Sequence, residues 1–178
     1  MNIQPSGWAA IIARHPPLRC PELFMTLHAL PYTLHVLCAL IWVGGMFFAW
    51  MILRPAAVNT LQAPQRLSLW CDVLPRFFAW VWLAVLVLPI TGFGMLHLRQ
   101  QAIQTAPYYI QVMTGLYLVM LSLFLRAQLL QLPALRKAVA SEDWPSGATA
   151  LANIRRLVGF NLLIGLTLVS LAAARPTF

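Results

Sequence analysis

Four long apolar segments dominate the pattern of hydrophobic and polar positions along the chain. They run approximately over residues 32–53, 73–96, 108–130 and 157–173, and each ends at an arginine, a proline or a group of polar residues. The hydrocarbon layer of a bilayer is about 30 Å thick, so an α-helix needs about 20 mostly apolar residues to cross it. Each segment is therefore predicted to be a membrane-spanning helix.

The segments between the apolar runs predict how the four helices are arranged. The connections are expected to be roughly 10 to 27 residues long, and connections of that length make sequential helices neighbours. The predicted fold is thus all-α, an antiparallel up-down-up-down bundle that forms a single transmembrane domain over residues 27–178. Small residues are expected to let the helix backbones approach closely in lipid. These residues are Gly44, Gly45, Gly92, Gly94, Gly115, Gly159 and Gly165.

The first 26 residues have a different character. The stretch "RHPPLRCPE" carries prolines and charges that oppose a spanning helix, and no apolar core followed by a small-residue cleavage site comes before it. No signal peptide is therefore expected. Residues 1–26 are predicted to be a tail or an interfacial segment, in which "SGWAAIIAR" forms either a short helix or a mobile stretch, and Met25 is an alternative start.

Composition and charge reinforce the prediction of a membrane protein. Hydrophobic residues make up 61% of the chain and charged residues only 9%, and the mean hydropathy is +0.76, which excludes an ordinary soluble domain. The net charge of +8 would suggest nucleic acid in a soluble protein. Here the cations stand at the ends of the spans, where they meet lipid head groups, so no nucleic-acid partner is expected.

The distribution of lysine and arginine predicts the orientation. Eight of these residues belong to the first and third connections and the helix ends that face them: Arg54, Arg66, Arg76, Arg126, Arg136, Lys137, Arg155 and Arg156. The other side holds Arg14, Arg19, Arg99 and Arg175. Cytoplasmic loops carry the excess of positive residues, so the first and third connections are predicted to be cytoplasmic and both termini periplasmic.

Several kinds of chemistry are excluded by what the spans lack. The chain has no Ser-His-Asp grouping, no glycine-rich phosphate loop, no HExxH motif and no paired carboxylates within the apolar segments. Hydrolase and proton-pump functions are therefore not expected. Three cysteines, Cys20, Cys38 and Cys71, occur without CxxC spacing, so no disulfide framework is predicted.

Histidine and cysteine residues near the predicted outer face are the candidate metal ligands. His35 and Cys38 lie three residues apart on one helix face, so both side chains can reach a single ion. His28 lies two turns before His35, about 10 Å away, and could form a second binding position for the ion on its way in. Thiolate, thioether and imidazole groups suit Cu(I), so His28, His35, Cys38 and His97 are the predicted copper ligands. Methionines at positions 25, 46, 95 and 113 could add thioethers.

A haem group is the alternative cofactor. Haem b between helices is held by two imidazoles from different helices. His35 and His97 are the one intramembrane pair of histidines in the sequence. They are expected on adjacent antiparallel helices at the same depth. Aromatic residues such as Trp42, Trp50, Trp80 and Trp82 could line a porphyrin, or form the aromatic belts of a membrane interface. A third hypothesis makes the histidines interfacial anchors in a purely structural subunit.

Three stretches resemble the copper-resistance D (CopD) family of bacterial inner-membrane proteins: "LHVLCALIWVGGMFFAWMILRPA", "RFFAWVWLAVLVLPITGFGM" and "EDWPSGATALANIRRLVGFNLLIGL". The resemblance implies a four-helix inner-membrane protein linked to copper uptake or handling, and His35 matches the family's first-span histidine. The chain has Gln111 where related sequences often carry a histidine, and no fused periplasmic copper domain is expected.

The partners expected from this resemblance are the lipid bilayer, a periplasmic copper-binding protein and a second copy of the chain. A more distant likeness is to HemJ-type membrane haem proteins. That likeness implies a haem-dependent membrane oxidoreductase, whereas the copper hypothesis implies no enzymatic activity.

Overall fold

The computed structural model describes residues 20–98 and 102–174, with side chains described from Ala29 onward. All regular elements in these two stretches are helical: α1 (Cys20–Phe48), α2 (Arg54–Thr60), α3 (Ala63–Leu98), α4 (Tyr108–Arg126), α5 (Leu132–Ala140) and α6 (Trp144–Ala174). Of the predicted N-terminal segment, residues 1–19, which include "SGWAAIIAR", lie outside the described residues. Its last residues, 20–26, belong to α1.

Four helices are long and apolar enough to cross a membrane, as the sequence predicted. They cover Ala29–Thr60, Ala63–Leu98, Tyr108–Ala140 and Trp144–Ala174, and are called the first to fourth helices below. The first helix joins α1 to α2 through a π-helical turn at Ala49–Leu53. The third helix joins α4 to α5 through a similar turn at Ala127–Gln131. The prediction of an all-α polytopic membrane protein is thus confirmed.

The first and third connections are much shorter than the sequence suggested. Only residues 61–62 separate the first and second helices, and only residues 141–143 separate the third and fourth. Hydropathy detects the part of a helix that lipid can cover, but a helix continues beyond it wherever one face still packs on a neighbour. In α5, for example, Leu135 is fully buried and Ala138 is also buried, although Arg136 and Lys137 stand between them.

Antiparallel packing brings sequential helices together. The second helix packs along the first, the third along the fourth, and the fourth also contacts the first two. Aromatic rings fill the centre, where Phe124 meets Trp42, Phe78 and Trp82 edge-on at centroid distances of 5.3 to 6.2 Å. Large apolar side chains on the outside stay exposed, such as Ile90 at 70%. That outer surface is the one expected to face lipid.

Glycines create close contacts at some of the predicted positions. A Cβ atom at Gly165 would lie 2.9 Å from a Val43 methyl group, and one at Gly45 would overlap the ring of Phe77. The helices therefore approach closely at these points, as predicted for small residues in lipid. Gly94 and Gly115 have nothing within 4 Å of such an atom, so they do not serve this purpose among the described residues.

Each π-helical turn stands directly before a proline. Pro55 follows the turn at Ala49–Leu53, and Pro133 follows the turn at Ala127–Gln131, each after one intervening residue. A proline ring clashes with the carbonyl group four residues earlier, and it donates no hydrogen bond to it. Those carbonyls belong to Met51 and Leu129, in the middle of the two turns. Widening the turn accommodates the proline without ending the helix.

The two ends of the bundle differ in chemistry. We call the end with the short connections the basic end; it carries Arg54, Arg66, Arg76, Arg126, Arg136, Lys137, Arg155 and Arg156. The opposite end, called the histidine end, carries His35 and His97 near the start of the first helix and the end of the second. The predicted metal-binding residues His35, Cys38 and His97 therefore belong to the histidine half of the bundle.

Candidate metal site at the histidine end

His35 is held against the second helix by a hydrogen bond. Its Nδ1 atom lies 2.8 Å from Oγ1 of Thr91, and the imidazole is half-buried while Thr91 is only 6% exposed. The same contact fixes the register of the two helices, since it sets His35 level with Thr91. The histidine is therefore a fixed part of the interface between the first and second helices.

The hydrogen bonds of Thr91 favour one tautomer of His35. The threonine hydroxyl has one proton, and it donates that proton to the backbone carbonyl of Val87 at 2.8 Å, with the carbonyl of Leu88 at 3.1 Å. Its oxygen then accepts from Nδ1–H of His35. A neutral imidazole with its proton on Nδ1 has a free lone pair on Nε2, the arrangement of a histidine that binds a metal.

Gly92 provides the surface on which the imidazole rests. A Cβ atom at Gly92 would lie 3.4 Å from Cε1 of His35, which is van der Waals contact, so the ring packs beside the glycine. The pair Thr91 and Gly92 thus positions His35 by a hydrogen bond on one side and by close packing on the other.

Cys38 lies on the same face as His35, one turn deeper. It is 3% exposed and belongs to the buried core together with Trp42 and Met46. The rise between positions 35 and 38 is about 4.5 Å along the helix axis. His35 and Cys38 are the two predicted ligands that this helix face brings together, with the imidazole nearer the end and the thiol in a dry environment.

His97 does not come close to His35. It lies six residues beyond Thr91, which corresponds to about 9 Å along the second helix and a rotation of about 120° away from Thr91. Its side chain is exposed. The two histidines therefore do not share one level, because the register set by Thr91 places His97 nearer the end of the bundle. A haem ligated by this pair stays a prediction without support from the geometry.

The remaining predicted positions stand outside this pair. His28 lies in α1, seven residues before His35, and only its backbone is described. Gln111 donates a hydrogen bond of 3.0 Å to the carbonyl of Ala106, so it holds the preceding loop. Across the described parts of the chain, no three side chains of His, Cys, Asp or Glu come together as a ligand group.

A small internal cavity lies deeper along the same helix face. Its volume is about 10 Å³, and Met46, Trp42 and Asn161 are among its lining residues. That volume is close to what one water molecule needs. Asn161 is 4% exposed, and its Oδ1 atom has no hydrogen-bond partner in the described structure. A larger, open groove of about 380 Å³ at the basic end is lined by Gln131, Asn153 and Thr149 among others, and is far from His35.

Sequence reasoning missed Thr91 and Gly92. Both stand in "PITGFG", where Gly92 was interpreted only as a point of close helix approach. A threonine in an apolar helix usually bonds its own helix carbonyl, and Thr91 does so as well. The missing signal was the register between the two helices, which the hydropathy pattern leaves open.

Comparisons with known proteins identify the family. No curated protein and no solved structure matches the chain significantly. A family model described as "Copper resistance protein D" matches residues 71–175, which is more than half of the chain and includes Thr91, Gly92 and the whole of the third and fourth helices. The protein thus belongs to the copper resistance protein D family, a membership that the resemblance in its sequence had predicted.

Proposed function

We propose that this protein handles Cu(I) in the bacterial inner membrane, and that it takes up the ion at the histidine end. The observation that carries the proposal is the 2.8 Å hydrogen bond between Nδ1 of His35 and Oγ1 of Thr91. Because the ring is held through Nδ1, Nε2 is the nitrogen proposed to bind the ion. The description of the family supports copper as the cargo. His35 is the first ligand of the ion and Cys38 is the second.

The chemistry of the two ligands fits a soft cation. Imidazole and thiolate ligands both favour Cu(I), and one helical turn between them lets a single ion contact both. Cys38 is buried among apolar side chains. In such surroundings a bare thiolate is costly, so the bound cation itself stabilises the deprotonated sulfur. Binding of Cu(I) at this pair therefore releases a proton.

The orientation of the protein decides the side from which copper arrives. The excess of arginine and lysine at the basic end favours a cytoplasmic position for that end. The histidine end then faces the periplasm, both termini lie on that side, and copper reaches His35 from the periplasm. A periplasmic copper-binding protein is the expected donor.

Copper titration of the purified full chain tests the proposal. The protein is reduced, and Cu(I) is partitioned between the protein and a coloured Cu(I) chelator in a mild detergent. We expect one Cu(I) per chain, lost on His35→Gln and strongly weakened on Cys38→Ser. The matched controls are His97→Gln and Cys71→Ser, which change an imidazole and a thiol outside the pair. These controls should keep the affinity of the wild-type protein.

Three results would contradict the proposal. Equal copper affinity in wild-type protein and in His35→Gln would remove the histidine from any copper site. A Soret band in the absorption spectrum of the protein, lost on His35→Gln, would instead assign the histidine to haem. Loss of copper binding in Cys71→Ser but not in Cys38→Ser would move the site to the opposite end of the bundle.

A further inference from the structure

Three partly buried arginine side chains lie at the basic end, one on each of the first, second and fourth helices. Arg54, Arg66 and Arg155 are each half-buried. Arg54 and Arg66 are close enough to Arg155 for their charges to repel it. Like charges held this close and partly out of water destabilise the folded state unless an anion lies between them.

The position of Arg54 is fixed by packing. Its guanidinium carbon lies 4.9 Å from the centroid of the Trp50 ring, in a cation–π contact. The Trp50 ring in turn packs on Gly159 of the fourth helix, where a Cβ atom would lie 2.9 Å from the ring. Arg155 precedes Gly159 by one helical turn on the same face. The tryptophan therefore fixes Arg54 on the side of the first helix that faces Arg155.

No carboxylate neutralises this cluster in the parts of the chain that the structure describes. The one ion pair there joins Arg76 to Asp72 at 3.1 Å. Asp143 accepts a hydrogen bond from the backbone N–H of Ser146 at 3.1 Å, at the start of α6. The whole chain has only four acidic residues against twelve basic ones. The counter-ion of the three arginines is thus expected to come from outside the protein.

We propose that Arg54, Arg66 and Arg155 form a binding site for the phosphate group of an anionic phospholipid. Guanidinium groups bind phosphate oxygens in a planar, bidentate geometry, so an arginine cluster suits a phosphate group better than a lysine cluster would. Arg54 and Arg155 lie where the apolar part of their helices gives way to polar residues, which is where lipid phosphates are expected. The bound lipid ties the first, second and fourth helices together at the basic end.

Lipid binding to the full chain provides the test. The protein is purified in a mild detergent, and its thermal unfolding is followed after adding phosphatidylglycerol, phosphatidylcholine or inorganic phosphate. We expect phosphatidylglycerol to raise the unfolding temperature more than phosphatidylcholine does. Arg155→Gln should weaken phosphatidylglycerol binding by about tenfold or more, the loss expected for one charge-assisted hydrogen-bonding partner.

The matched control is Arg156→Gln, the neighbouring arginine on the same helix, whose side chain is exposed. Phosphatidylglycerol should raise the unfolding temperature of this variant as much as it raises that of the wild-type protein. Arg155→Lys keeps the charge but loses the planar fork, so it should fold normally and bind with intermediate affinity. Arg155→Lys therefore distinguishes the loss of the lipid site from a general folding defect in Arg155→Gln.

The outcomes separate the sources of the phosphate. Stabilisation by inorganic phosphate alone, lost in Arg155→Gln, would support the site with free phosphate as its occupant. Equal effects of phosphatidylglycerol and phosphatidylcholine, with no effect of inorganic phosphate, would overturn the proposal. Equal losses in Arg155→Gln and Arg156→Gln would also overturn it, since the effect would then be one of overall charge.

Discussion

The hydroxyl group of Tyr117, on the third helix, donates a hydrogen bond of 2.8 Å to the backbone carbonyl of Val85, on the second. This carbonyl would normally accept from the N–H four residues later, but that residue is Pro89, which has none. A buried carbonyl without a donor costs free energy. The tyrosine therefore replaces, from another helix, the hydrogen bond that the proline removes.

Removing the Tyr117 hydroxyl is expected to destabilise the bundle. Tyr117→Phe leaves the Val85 carbonyl without a donor, which should lower the free energy of unfolding by about 1–3 kcal/mol. The measurement is unfolding of the purified protein by increasing SDS in mixed micelles. In a Pro89→Ala background the helix supplies its own donor, so Tyr117→Phe should cost clearly less. An equal cost in both backgrounds would show that the hydroxyl matters for another reason.

Thr91 is expected to position His35 for copper. Thr91→Val keeps the shape of the side chain but removes the acceptor of Nδ1–H, so the imidazole loses its fixed tautomer and orientation. Loss of such a supporting hydrogen bond typically lowers metal affinity by about 10- to 100-fold. The same competition with a coloured Cu(I) chelator measures it.

A matched control for this change lies in the third helix. Thr114 donates its hydroxyl only to the carbonyl of Ile110 in its own helix, at 2.9 Å. Thr114→Val should leave copper affinity unchanged. If both valine variants lose affinity equally, the effect comes from general loosening of the bundle and Thr91 has no specific role.

The stability of the basic end is expected to depend on pH through Asp143. Hydrogen bonds from Ser146 hold the pKa of the Asp143 carboxyl below its ordinary value. The bond from the Ser146 side chain has the larger effect, and the bond from its backbone N–H has the smaller one. A lowered pKa in the folded state stabilises the protein at pH values above the unfolded pKa of about 3.9. This contribution is lost as the pH falls below about 4, through the folded pKa.

The pH effect is measured by comparing wild-type protein with Asp143→Ala. The difference in unfolding temperature between the two should be full at pH 6 and shrink as the pH is lowered below about 4. Ser141→Ala, in the same connection, serves as the control because Ser141 carries no charge. A difference that stays constant down to pH 3 would exclude the carboxylate as its source.

The charge distribution predicts the membrane orientation. Reporter fusions made after Leu61 and after Ala140 should report a cytoplasmic location, since the eight basic residues belong to that side. Alkaline phosphatase should be inactive and a cytoplasmic fluorescent reporter active at both points. A periplasmic result at either point would place the histidine end in the cytoplasm and make copper arrive from there.

The architecture was predictable because it follows from composition. Apolar runs of about 20 residues can only be stable in lipid as helices, and four of them predict a four-helix bundle. The lengths of the helices were not predictable in this way. Residues 63–72 and 144–156 are too polar to register as spans, yet they continue the helices because Leu67, Trp70 and Ile154 pack into the core.

The candidate site was predictable only in part. His35 and Cys38 belong to one helix, and the helical repeat alone puts them on one face. The partners of His35 come from another helix, and a shift of one turn between the helices would exchange Thr91 for a different residue. Nothing in the apolar pattern of the second helix fixes that shift. This is why His97 was expected beside His35 and Thr91 was not.

The π-helical turn at Ala49–Leu53 also decides which way Arg54 points. Such a turn contains one residue more than an α-helical turn, so everything after it is rotated by about 100° relative to a regular helix. If the same residues formed a regular α-helical turn instead, Arg54 would be rotated away from Arg155 while all three arginines remained in the sequence. A variant must therefore preserve the direction in which Arg54 points around the first helix. Keeping the number of arginines at the basic end is not sufficient.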